Sequence, residues 1–99
     1  MKFLIIEDEP LAAERLQAKI ADLRPDWHCL AVLSSLAALR KELTQYVVDL
    51  IFADINLGDG LSLQAFQELQ PRAPIIFTTA YDQYALEAFK LNSVDYLLK

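Results

Sequence analysis

Acidic, hydroxyl and amine side chains recur in this chain just beyond short apolar runs. Phe3-Leu4-Ile5-Ile6 leads into Glu7-Asp8-Glu9, and Leu50-Ile51-Phe52-Ala53 closes on Asp54. Ile75-Ile76-Phe77 runs into Thr78 and Thr79, and Val94-Asp95-Tyr96-Leu97-Leu98 ends at Lys99. Three carboxylates brought to one point repel each other unless a cation lies between them. A hard divalent ion suits such a donor set, and Mg²⁺ in particular takes one or two carboxylates together with waters and a substrate phosphate. Lys99 then meets the remaining negative charge as a mobile point charge. A carboxylate, a Mg²⁺ site, a lysine and a hydroxyl together make a phosphoryl-transfer site, in which positioning and charge neutralisation carry the chemistry. Taken singly, each residue has a plainer explanation. Asp8 and Glu9 suit the start of a helix, where acids complement the macrodipole; Thr79 suits a turn; Asp54 and Lys99 suit solvated strand ends. Glu9 keeps that explanation, but Asp8, Asp54, Thr79 and Lys99 together at four strand ends are not explained that way.

The elements that must position these residues alternate along the chain. Phe3–Ile6 reads as a strand buried on both faces, because all four side chains are apolar. Pro10 opens a helix with an apolar stripe of Ala12, Leu16, Ile20 and Leu23, and Pro25 ends it. Residues 29–33 form a second strand, and Ser34 or Ser35 caps a helix carrying Leu36, Leu39 and Leu43. Residues 49–54 form a third strand. Gly58-Asp59-Gly60 is a turn, and Ser62 is expected to cap a short helix carrying Phe66 and Leu69. Residues 75–78 form a fourth strand, and Asp82 caps a helix bearing Ala85, Leu86 and Phe89 that stops at Asn92. Residues 94–98 form the fifth strand. This βαβαβαβαβ order predicts a parallel sheet with helices on both faces and right-handed crossovers. Ligands of such sheets bind outside the carboxyl ends of the strands, where the polar residues fall.

Composition narrows the function classes. The 99 residues make one domain, residues 1–99, and 55% hydrophobic content excludes a disordered chain. Nine basic against fourteen acidic residues give a net charge of −5, and with no Lys/Arg cluster this stretch does not grip nucleic acid by itself. No apolar run approaches the roughly 18 residues of a membrane span, and Glu7-Asp8-Glu9 cuts off any signal-peptide core. The single Cys29 excludes an internal disulfide framework and fits a reducing cytoplasm. His28, beside Trp27, has no second ligand near it in sequence, so a histidine metal site is not expected. Cys29 is expected as a small core residue.

Over its whole length the chain resembles the receiver domain of two-component response regulators. The resemblance is carried by Glu7-Asp8, by Asp54 closing the third strand, by Thr79-Ala80 and by Lys99. The stretches Ile6-Glu7-Asp8-Glu9-Pro10, Asp54-Ile55-Asn56-Leu57-Gly58-Asp59-Gly60-Leu61-Ser62 and Phe77-Thr78-Thr79-Ala80-Tyr81 most resemble receivers attached to LytTR-type DNA-binding outputs. The resemblance implies a flavodoxin-like (CheY-like), doubly wound α/β fold with strand order 2-1-3-4-5. It implies that Asp54 accepts a phosphoryl group from a phosphohistidine on a sensor histidine kinase. It further implies that Glu7, Asp8, Asp54 and the Asn56 carbonyl hold Mg²⁺, with Asp8 the direct ligand and Glu7 acting through water. Thr79 would bond a phosphoryl oxygen, Lys99 would pair with another, and Tyr96 would be the aromatic that changes rotamer with Thr79. The fourth helix and fifth strand would form the readout surface, with Tyr84, Glu87, Lys90 and Leu91 as candidates. Tyr81 and Tyr84 are otherwise ordinary packing residues.

Three departures from the family pattern stand out. The loop Leu57-Gly58-Asp59-Gly60 is short and lacks the usual proline, position 7 is Glu where many members have Asp, and the proline and fifth helix that commonly follow the lysine are not in the chain. The expectation is therefore a receiver cut before its last helix, with its output domain elsewhere and DNA reached only through that output. A face left bare by the missing helix would favour self-association or a homodimer. Two other classes compete. One is a phospho-independent pseudo-receiver that only binds partners. The other is a small Mg²⁺-dependent phosphohydrolase of the haloacid-dehalogenase type, which wants its nucleophile after the first strand and a second Asp two residues later, where this chain has Asn56.

Overall fold

The structure is a computed structural model that describes the backbone of residues 1–79 and 95–98 and the side chains of residues 1–78, and over the described residues strands and helices alternate as expected. The strands are β1 (Lys2–Ile6), β2 (His28–Leu33), β3 (Leu50–Asp54), β4 (Asn56–Leu57), β5 (Gly60–Leu61), β6 (Ile75–Thr79) and β7 (Asp95–Leu98). The helices are α1 (Pro10–Leu23), α2 (Leu36–Glu42), continued by a 3₁₀ turn over Leu43–Gln45, and α3 (Ser62–Leu69). Five strands form one parallel sheet in the order β2-β1-β3-β6-β7. Counting only those five, the order is 2-1-3-4-5. The fourth helix, with Asp82, Ala85, Leu86, Phe89 and Asn92, lies outside the described residues.

Strict alternation along the inner strands divides the core into two layers. Phe3, Ile5, Leu50 and Phe52 face α1, whose Ala13 and Ile20 are buried on them, and Leu16, Trp27 and Ile76 pack against this layer partly buried. Leu4, Ile6, Ile51, Ala53, Ile75 and Phe77 face the other way, onto Leu39, Leu43, Leu63 and Phe66 of the α2–α3 side. A strand covered on both faces has no polar side to show, which is why these runs are continuously apolar. Edge-to-face pairs stiffen both layers: Phe3 on Phe52 at 5.6 Å and Phe66 on Phe77 at 5.9 Å between ring centroids.

Several expectations are corrected. The stripe of α1 is headed by buried Ala13 rather than Ala12, and Leu23 is 72% exposed. At that end of the sheet Trp27 covers Phe3, and the helix stops with the Arg24 amide bonded to Ile20 O. Of the two serines the sequence offers as a cap for α2, Ser35 is the one used, its Oγ accepting from the Ala38 amide at 3.0 Å. The fourth strand runs one residue further than expected, so that Thr79 is the last residue of β6 rather than the first beyond it. Gly58-Asp59-Gly60 is more than a turn: Asn56 pairs with Leu61 and Leu57 with Gly60 in a small antiparallel hairpin. Ser62 does not cap α3. Leu61 occupies the N-cap position and Ser62 is the first helical residue, its side chain turned inward and fully buried. At the far end of α3, Gln70 takes the left-handed conformation (φ 44°), its amide bonded to Phe66 O, before Pro71.

Candidate functional site

Register sets the site before any side chain is considered. Ile6 pairs with Ala53, so Glu7 and Asp54 are the next residues on adjoining strands. Asp54 in turn pairs with Thr78, and Thr79 pairs with Leu98, the residue before Lys99. Residues at four strand ends are thus delivered to one edge of the sheet, the edge at which parallel α/β folds bind ligands.

The acidic residues converge there. Glu7, Asp8 and Asp54 each offer a carboxylate oxygen, and the three atoms lie within 4.8 Å of one another. Glu7 and Asp54 are buried, at 5% and 7% exposure, and Asp8 is half-buried. The Glu7 amide donates to Leu33 O at 3.0 Å, which ties the end of β1 to the end of β2. Its Oε2 accepts from the Glu9 amide at 3.4 Å, a contact at the long end for a hydrogen bond. Asp54 Oδ1 accepts from the Asn56 amide at 3.2 Å. A set of hard oxygen donors, without sulfur or imidazole, fits Mg²⁺ or a related divalent cation.

The segment after Asp54 is held at both ends. At its outer end, Asp59 accepts from the Leu36 amide (Oδ1, 2.9 Å) and from the Ala37 amide (Oδ2, 3.2 Å), capping α2 across space. With Ser35 serving Ala38, the first three amides of α2 are all satisfied. The Leu36 amide foremost, with those of Ala37 and of Asp59 itself, holds the Asp59 carboxyl below its ordinary range. Gly60 has φ 143°, and a β-carbon there would meet Leu36 Cδ1 at 2.8 Å. At its inner end, Ser62 Oγ donates to Asp54 O at 2.6 Å and the Ser62 amide donates to Ile55 O at 2.8 Å. Between the two anchors the loop passes beside the acids: a β-carbon on Gly58 would sit 3.5 Å from Asp8 Oδ2.

Of the residues singled out in the sequence, Glu7, Asp8 and Asp54 come together, and Asn56 lies two residues on, bonded to Asp54. For Thr79 and Tyr96 the backbone is placed, in β6 and β7, and their side chains lie outside the described residues. Lys99, Tyr81, Tyr84, Glu87, Lys90 and Leu91 also lie outside them. Cys29 is half-buried in β2 beside the α1 layer, and burial pushes its thiol pKa up. Sequence reasoning missed the roles of Asp59 and Ser62. Asp59 between two glycines carries only a turn signal, and the helix it caps lies 23 residues upstream. Ser62 before an apolar helix carries a capping signal, which the inward-facing side chain contradicts.

Residues 3–99 match the family model described as the response regulator receiver domain. The chain is 40% identical over 102 residues to the sensory transduction protein LytT of Enterococcus faecalis, covering 100% of this chain and 42% of that protein. It is 44% identical over 105 residues to the transcriptional regulatory protein LytR of Staphylococcus aureus, covering 100% of this chain and 41% of that one. The crystal structure of the response regulatory domain of protein mrkE from Klebsiella pneumoniae superposes with a TM-score of 0.87 at 31% identity, covering 100% of this chain and 83% of that one. A two-component response regulator from Clostridium difficile shares the fold, with a TM-score of 0.85 at 23% identity and the same coverages. The chain belongs to the response regulator receiver domain family of two-component systems, and is LytT/LytR-like. It spans about two fifths of the length of these curated relatives.

Proposed function

We propose that the chain is a phosphoacceptor switch in which Asp54 receives a phosphoryl group from a phosphohistidine of a sensor histidine kinase. The observation that carries this reading is the convergence of the Glu7, Asp8 and Asp54 carboxylate oxygens within 4.8 Å at the carboxyl edge of a parallel sheet. A carboxylate oxygen of Asp54 attacks phosphorus in line as the P–N bond breaks. The electron pair of that bond returns to the imidazole, and an acyl phosphate remains on Asp54. Glu7, Asp8, Asp54 and the Asn56 carbonyl are the residues to hold Mg²⁺, which when bound neutralises charge on the transferring group. Burial of Glu7 and Asp54 supports this reading, since clustered carboxylates shielded from water are stabilised by a cation.

Thr79, closing β6, is assigned to a phosphoryl oxygen and Lys99, following β7, to another, with Tyr96 as the aromatic that responds. Phosphorylation adds charge and three strong acceptor oxygens at a strand end, and the change is passed to an output domain outside this chain. The names of the relatives support a transcriptional output, with DNA contacted by that domain and the receiver working in the cytoplasm. Among the described residues no helix is long and apolar enough to cross a membrane.

Incubation with acetyl phosphate and Mg²⁺ tests the assignment. The expected product is an acid-stable, base-labile adduct on Asp54, absent from Asp54→Ala and greatly slowed in Asp8→Asn. No adduct on the wild type, or an unchanged adduct in Asp54→Ala, overturns it. Labelling that ignores Mg²⁺ refutes the roles of Glu7 and Asp8, and rapid turnover of phosphate monoesters points to a hydrolase instead.

A further inference from the structure

We infer that Ser62 is a positioning residue for the acidic site, fixing the backbone from which Asp54 and Asn56 present their groups. The inference rests on the phosphoacceptor reading of Asp54. Ser62 is fully buried at the first position of α3, where a serine ordinarily faces solvent. Its hydroxyl donates to the carbonyl of Asp54, the residue at the centre of the site, and its amide donates to the next carbonyl, that of Ile55. One residue therefore holds two successive peptide planes. The first sets the direction in which the Asp54 side chain leaves the backbone. The second sets the path of the chain into Asn56, whose amide bonds back to Asp54 Oδ1 at 3.2 Å.

The segment from Asp54 to Ser62 is short, and Gly60, not proline, shapes its return. A buried hydroxyl, eight residues away along the chain and 2.6 Å from the Asp54 carbonyl, supplies the rigidity. Such a bond acts on the metal and the nucleophile together, because both depend on where the Asp54 and Asn56 backbone lies. Groups that orient metal ligands without touching the metal commonly alter affinity or activity by about tenfold or more when removed.

The test compares the wild type with Ser62→Ala, with Ser62→Cys, which keeps the volume but donates weakly, and with Phe66→Leu, which loosens α3 without touching the hydroxyl. Calorimetric titration with Mg²⁺ reads affinity, and the rate of Asp54 labelling at saturating Mg²⁺ and acetyl phosphate reads positioning of the nucleophile. Hydrogen exchange at the Asn56 amide reads the loop directly. Ser62→Ala and Ser62→Cys are expected to weaken Mg²⁺ binding and slow labelling by about tenfold each, and to speed exchange at Asn56. Phe66→Leu is expected to lower the melting temperature and leave all three unchanged. Wild-type affinity, rate and exchange in both Ser62 variants overturn the inference, as does an equal change in Phe66→Leu. A wild type that binds Mg²⁺ but is never labelled defeats the phosphoacceptor reading instead, while affinity and exchange still judge Ser62.

Discussion

Asp59 shows how one side chain can join two parts of a receiver that are distant in sequence. Its carboxylate takes the Leu36 and Ala37 amides, so the loop that follows β3 is also the cap of α2. The Leu36 bond foremost depresses its pKa, and the sign of the pH dependence follows. A carboxyl with a lower pKa in the folded state contributes its full stabilisation above the unfolded value of about 3.9. That contribution shrinks as pH falls below this value and is lost once pH passes the folded one. Asp59→Ala is therefore expected to melt at a lower temperature than the wild type near neutrality, with the gap closing as pH falls below the ordinary aspartate range. Melting curves at a series of pH values check it, and a gap that stays constant would remove the carboxylate from the account.

Behind the site, the β4–β5 hairpin and α3 are held by different contacts. Gly60 sits at φ 143°, a region that residues with a β-carbon rarely occupy, and packs against Leu36. Gly60→Ala combines backbone strain with a clash, and a loss of about 2 kcal/mol or more is expected in urea denaturation. Much of α3 is fastened by apolar contact, through Leu63 and Phe66 on Phe77. The ion pair of Arg40 with Glu68 joins α2 to α3 at the surface and adds little, because exposed pairs are screened by water and salt. The hairpin therefore keeps its shape through Gly60, Asp59 and Ser62, and α3 keeps its place through its aromatic face.

For the whole molecule, the acidic edge is the place where folding and function oppose each other. Three carboxylates gathered within 4.8 Å repel one another, and a parallel sheet with two packed faces holds them there. Mg²⁺ binding to the folded chain should raise stability by mass action, by about 2.7 kcal/mol at a hundredfold excess over its dissociation constant. Without metal, Asp8→Asn should be more stable than the wild type, and it should gain less from added Mg²⁺. Urea titrations with and without Mg²⁺ measure both differences. Equal response of the two proteins to the ion would place the cation elsewhere.

The architecture was legible in the sequence because it depends on local regularities. Five short apolar runs, each too short for a helix and spaced by helical stripes, report a parallel sheet, and the polar residues at their ends, the acids after the first and third above all, report the edge that binds ligands. Glu7, Asp8 and Asp54 could be singled out because strand order alone delivers them together. Other features depend on contacts between distant residues. The cap that Asp59 gives α2, the inward turn of Ser62 toward Asp54, and the exposure of Leu23 beside a helix face that Trp27 completes all arise when elements pack. A serine ahead of an apolar helix looks the same whether its hydroxyl caps that helix or reaches the strand end eight residues before it. The buried carbonyl of Asp54 needs a donor, and packing brings that donor within reach.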